Sequence, residues 1–172
     1  MKNFKKGFTL IELLIVIALL GALAVGLLAA LDPFEQLKKG TDTGIRNTAA
    51  EFQGAAVRYY SIKNYMPWCS DATTCTDPAT VTLESLSATA IANIVTTGEL
   101  KADFVQLAGG QLGNIWVTGL NDPPSVAACY KPTSKSFSSN GNTKFNKDGT
   151  LASQQSGCPT GNPADNCYYC IK

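Results

Sequence analysis

The 172 residues carry 14 Lys and Arg against 13 Asp and Glu, with six cysteines and no histidine. A near-neutral balance at 16% charged residues excludes the dense basic face of an electrostatic nucleic-acid binder. The missing histidine removes imidazole-based triads and the commonest metal ligand, and the length fits one anchored domain.

The first seven residues, Met-Lys-Asn-Phe-Lys-Lys-Gly, hold three cations, Lys2, Lys5 and Lys6. From Leu13 to Leu31, nineteen residues pass without a charge. A helix of about 20 apolar residues spans a bilayer, so this stretch reads as a membrane helix. The three lysines hold the N-terminus in the cytoplasm, and residues beyond about Leu31 lie outside. An ordinary secretory signal has an apolar core of about 7–15 residues before a small-residue cleavage site. The stretch Leu28-Ala29-Ala30-Leu31 leaves such cleavage as one plain alternative, and an uncut anchor as another. Neither accounts for Glu12, a carboxylate inside the apolar stretch. In lipid it costs up to about 3 kcal/mol at the centre, and less near the interface.

Gly7 followed by Phe8-Thr9-Leu10-Ile11-Glu12-Leu13-Leu14 resembles the type IV pilin and pseudopilin family. Prepilins of that family carry a short basic leader ending in Gly, then Phe-Thr-Leu-Ile-Glu-Leu-Leu and an apolar helix. The resemblance implies that a prepilin peptidase cuts between Gly7 and Phe8 and that the new amine of Phe8 is methylated. It implies an assembly role for Glu12 and a structural, non-enzymatic protein. Its partners are then further copies or other pilins in a helical filament, and the pilus or secretion assembly machinery. Membrane lipid surrounds the helix before assembly, and a nucleic-acid partner is not expected. The chain would cross the cytoplasmic membrane once and later stand in an extracellular filament or pseudopilus.

The motif also has a direct physical reading. Gly7 has no Cβ, so an extended backbone there can approach a protease closely. With Phe8 as first residue, its ammonium lies one helical turn from Glu12. In a filament the ammonium of one subunit can meet Glu12 of a neighbour in the apolar core. Loss of one partner of such a buried pair costs about 3–5 kcal/mol. The alternatives are a minor pilin with an adhesion or DNA-uptake role, and an unprocessed anchored domain.

The expected divisions are a leader over 1–7, a transmembrane and filament-core segment over 8–31, and an extracytoplasmic domain over 32–172. The fold class expected is α+β: a long N-terminal helix on a small antiparallel sheet, with a disulfide-stapled C-terminal region. Asp32-Pro33 should kink or interrupt the helix, and Gly21 and Gly26 make its membrane half easier to unwind. Beyond Pro33 the positions Ile45, Ala49, Phe52, Ala56 and Tyr59 form an amphipathic stripe, with Lys39, Asp42, Arg46, Glu51 and Arg58 falling mostly off it. The helix should run to about Ile62. Asn64 to Thr80 reads as a loop with Pro67 and Pro78. A second helical pattern follows through Leu83, Leu86, Ala90, Ile91, Ile94 and Val95, with Thr82 or Thr80 as N-cap. Gly98 ends it, Leu100 to Leu107 adds a helical turn or two, and Gly109-Gly110 marks a boundary.

Strands are expected at 114–118 and 126–130, around a turn at 119–124. Weaker strand candidates are Ser136-Phe137 and Lys144-Phe145, and the last strand is 167–171. The stretch 133–165 reads as exposed loop held by cysteines.

All six cysteines, Cys69, Cys75, Cys129, Cys158, Cys167 and Cys170, follow the apolar segment. An even count in an exported region reads as up to three disulfides, with fifteen full pairings open. Cys69 and Cys75 bracket a short loop and are expected to bond to each other. Among the alternatives for the remaining four, Cys129 with Cys170 and Cys158 with Cys167 is the favoured pairing. Cys167-Tyr-Tyr-Cys170 has the spacing of a redox or zinc motif, but lacks thioredoxin-like flanks and histidine. Asn146-Lys147-Asp148-Gly149 offers calcium too few acidic ligands and reads as a β-turn. No catalytic constellation, metal or cofactor is expected. Phe8, Phe34, Phe52, Tyr59 and Tyr60 along the helix are packing residues rather than a conduction path, and Tyr65, Met66, Trp68 and Trp116 read the same way.

Overall fold

A computed structural model describes residues 7–30, 32–151 and 167–172. The leader lysines Lys2, Lys5 and Lys6, together with Cys158 and the loop from 152 to Asp165, lie outside the described residues. Two compact units divide the chain, the first ending at Leu37 and the second beginning at Lys38. The fold is α+β, with a long apolar N-terminal helix, a second helix, a five-stranded antiparallel sheet and disulfides in the C-terminal region.

Helix α1 runs Leu10–Ala30 and passes through Gly21 and Gly26 without a break. Helix α2 runs Pro33–Lys63. The interruption expected at Asp32-Pro33 is present, and its chemistry is that of a helix start. Proline occupies the first helical position, where its missing N–H costs nothing. Asp32 Oδ1 accepts the N–H of Glu35 at 3.2 Å, which satisfies one of the first orphan donors.

In the second unit, the stripe Ile45, Ala49, Phe52, Ala56 and Tyr59 is buried, and Ala55 joins it. It packs on one sheet face with Ile115, Val117, Ala128, Tyr130 and Tyr169. One reading of the stripe needs correction. Asp42 lies three residues before Ile45 and is fully buried, not off the stripe. Its carboxylate takes the N–H of Thr133 at 3.0 Å, that of Ser134 at 2.8 Å, and both hydroxyls. A buried charge so supplied with donors is tolerated where a bare one is not. The contact ties α2 to a segment 91 residues further along.

The sheet order is β1-β2-β3-β5-β4, all antiparallel. Strand β2 covers Ile115–Leu120 and β3 covers Ser125–Tyr130, so both are longer at the hairpin than the sequence suggested. Strand β4 is Thr143–Phe145 and β5 is Tyr168–Ile171. Strand β1, Val81–Thr82, pairs with β2 at Val117 and Trp116. Two residues carry no periodicity, and the sequence reading missed it.

The pattern through 83–95 buries the expected face, but as a 3-10 turn over Leu83–Leu86, a π turn over Ser87–Ile91, and helix α3 over Ala92–Thr96. Thr82 makes no side-chain cap; it belongs to β1, and its carbonyl accepts the Ser85 hydroxyl at 2.6 Å. Helix α4 is Phe104–Ala108, followed by a 3-10 segment over Gly109–Asn114. Ser136-Phe137 is not a strand. It lies in the short helix α5, Lys135–Ser138, whose N-cap Ser134 accepts the N–H of Phe137. The capping serine outweighs the β preference of one aromatic residue.

Tyr59 and Tyr130 are buried in this core. Burial pushes the Tyr59 hydroxyl up to about 12. For Tyr130, burial with the Asp42 charge nearby also pushes upward.

Candidate processing and assembly site

The residues around the expected cut lie in the first unit. Gly7 and Phe8 are exposed ahead of α1, and a Cβ built on Gly7 meets nothing within 4 Å. Every side chain described on α1 is exposed, and Leu10–Leu28 is long and apolar enough to cross a membrane. Among the described residues nothing covers the apolar surface of that helix.

Glu12 sits in the first turn of α1. Its Oε2 accepts the backbone N–H of Thr9 at 2.8 Å and the Thr9 hydroxyl at 2.7 Å. Thr9 Oγ1 in turn takes the N–H of Glu12 at 3.4 Å. This reciprocal arrangement is a capping box, which satisfies two orphan donors at a helix start. The carboxylate also faces the positive end of the helix dipole. In the uncut chain the nitrogen of Phe8 is a peptide amide, so Thr9 supplies these bonds rather than an ammonium. The sequence reading passed over Thr9, although Thr-x-x-Glu before an apolar run signals this motif.

The other candidate chemistry resolves into structure. Cys69 bonds to Cys75, and Cys129 to Cys170 across paired strands. Cys167 is disulfide-bonded, and its expected partner Cys158 lies outside the described residues. The spacing Cys167-Tyr-Tyr-Cys170 is therefore not a free dithiol. Cys69, Cys75 and Asp77 come close enough to suggest a metal, but both sulfurs are spent on each other, and a coordinating thiol must be deprotonated. Asp77 instead accepts the indole N–H of Trp68 at 3.1 Å. The Trp68 ring lies so close to Gly119 that a Cβ there would overlap it. Trp68 thus packs the first disulfide loop against the β2–β3 hairpin.

Asn146 to Thr150 closes on itself as a turn. Asn146 N–H donates to the Thr150 carbonyl at 2.9 Å, and Gly149 takes a φ of +77°, a conformation suited to glycine. Asp148 Oδ1 accepts the Thr150 N–H at 2.9 Å and its hydroxyl at 2.6 Å. These bonds hold the Asp148 carboxyl below the usual range. A cleft of about 710 Å³ lies between α2 and the hairpin, lined by Val57, Tyr60, Met66, Leu120 and Val126. Its charged lining residues are Asp148 and Lys172.

Comparison with known proteins bears on the first site alone. Residues 2–28 match the prokaryotic N-terminal methylation motif, and the chain therefore carries a type IV prepilin-like signal. With the apolar helix, the motif points to membrane anchoring. Neither the curated proteins nor the solved structures gave a significant match.

Proposed function

We propose that this chain is a pilin-like structural subunit, held in the cytoplasmic membrane and polymerised through α1 into a type IV pilus or pseudopilus. A prepilin peptidase cuts between Gly7 and Phe8, and the exposed amine of Phe8 is methylated. Lys2, Lys5 and Lys6 keep the cut site on the cytoplasmic side. The domain from residue 32 onward is displayed outside, where its cysteines are oxidised. The observation that carries the reading is the methylation motif over residues 2–28.

The bonds around Glu12 support a two-stage role. Before assembly its carboxylate is satisfied by Thr9 of its own chain. In the filament it meets the Phe8 ammonium of a neighbour, and the buried charges neutralise each other. Apolar packing of α1 supplies most of the cohesion, and the pair fixes axial register.

Mass spectrometry of the N-terminus tests this directly. A mature chain beginning at methylated Phe8 is expected. An intact Met1 in the native host would overturn the reading in favour of an uncut anchor.

A further inference from the structure

We propose that the first turn of α2, through Phe34 and Leu37, is an interfacial anchor lying in the phospholipid headgroup layer of the membrane that holds the unassembled subunit. The inference rests on the membrane-anchored reading of α1 and adds a second, separate lipid contact to it. Helix α1 has 21 residues, or about 31 Å at 1.5 Å per residue, which matches a hydrocarbon core of about 30 Å. Phe34 follows Ala30 by four residues, so it falls in the next layer, about 5–8 Å deep.

What sits there is chemically suited to that layer. Phe34 is 73% exposed and Leu37 is 69% exposed. Both belong to the first compact unit, and a spacing of three puts them on one helix face. Aromatic and aliphatic side chains next to a span partition into the headgroup boundary. Glu35 points about 100° away around the helix. The carboxylate of Asp32 is engaged in capping α2. An exposed apolar pair in water carries a cost that this placement removes.

Depth-dependent quenching tests the anchor. The full chain is reconstituted in phosphatidylcholine–phosphatidylglycerol vesicles whose acyl chains are brominated either near the carbonyl or near the methyl end. Phe34→Trp and Leu20→Trp are compared with the unsubstituted protein, whose Trp68 and Trp116 set the baseline. The added indole at position 34 should emit at shorter wavelength than in water and lose most of its signal to the shallow bromines. The indole at position 20 should lose most to the deep ones. Water-like, unquenched emission at position 34, with position 20 still quenched, overturns the anchor and leaves the membrane helix standing. A blue-shifted but unquenched indole at 34 means that protein, such as a second copy, covers the turn, and also overturns it. Loss of quenching at position 20 overturns both.

Discussion

The two units satisfy their apolar residues in opposite ways. In the first, every side chain described on α1 is exposed, and one carboxylate is held by its neighbour Thr9. In the second, Phe52, Ala49, Ile115 and Val117 are fully buried, and even Asp42 is enclosed with its donors. One apolar surface stays open, and the other is completed by its own fold. The match to known sequences stops at residue 28.

Four measurements would break or sharpen this contrast. The largest effect is expected for Glu12→Ala in cells lacking the wild-type copy: filaments in sheared fractions should be nearly absent. The subunit should remain inserted and cleaved, with the denaturation midpoint of its second unit unchanged. Normal filaments would remove the assembly role of Glu12.

Asp42→Ala should do the reverse. It strands the buried N–H and hydroxyl of Ser134, whereas those of the exposed Thr133 can turn to water, and unsatisfied buried donors cost about 1–3 kcal/mol each. A loss of about 3 kcal/mol in denaturant unfolding is expected, with cleavage after Gly7 unaffected.

The disulfides separate the strength of local and distant ties. Chain entropy assigns about 4 kcal/mol to a loop the size of that between Cys129 and Cys170 and about 2 kcal/mol to a short one. These two bridges span sequence separations of 41 and 6 residues. Replacing Cys129 and Cys170 together by Ala should therefore lower stability more than replacing Cys69 and Cys75. An equal or inverted order, read by urea unfolding, would show that strain rather than loop closure decides.

The smallest effect concerns pH. Tyr59 titrates at about 12 in the fold and near 10 unfolded. Between these values the unfolded chain has lost a proton that the folded one keeps, so stability falls as pH rises from 10 to 12. The slope is about 1.4 kcal/mol per pH unit for one tyrosine. Tyr130, also pushed up by burial, adds a slope of its own. Tyr59→Phe should therefore lower the alkaline slope by about 1.4 kcal/mol per pH unit rather than abolish it. An unchanged slope would discount burial of Tyr59 as a cause.

Much of this was legible in the sequence, for reasons that differ by element. Nineteen uncharged residues and the Ile45 to Tyr59 stripe announce themselves through length and period. The hairpin strands do so through composition. Asp42 could not be placed, because its burial depends on Thr133 and Ser134, which sequence distance hides. Ser136-Phe137 and β1 were misread or missed because segments of two to four residues take their conformation from a capping hydroxyl or a paired strand. Thr9 was readable and overlooked: its role is local, three residues from Glu12.

The sheet order carries a consequence for how the protein is made. Strand β5 is the last of the five along the chain, yet it sits between β3 and β4. A chain stalled before Tyr168 would present two open β edges rather than one complete sheet, and open edges are templates for aggregation. Strand insertion of this kind also delays folding, since distant pairings must wait for the chain that joins them. Arrival of residues 168–171 thus becomes the step that completes the sheet, and a chain interrupted before them leaves material for proteases.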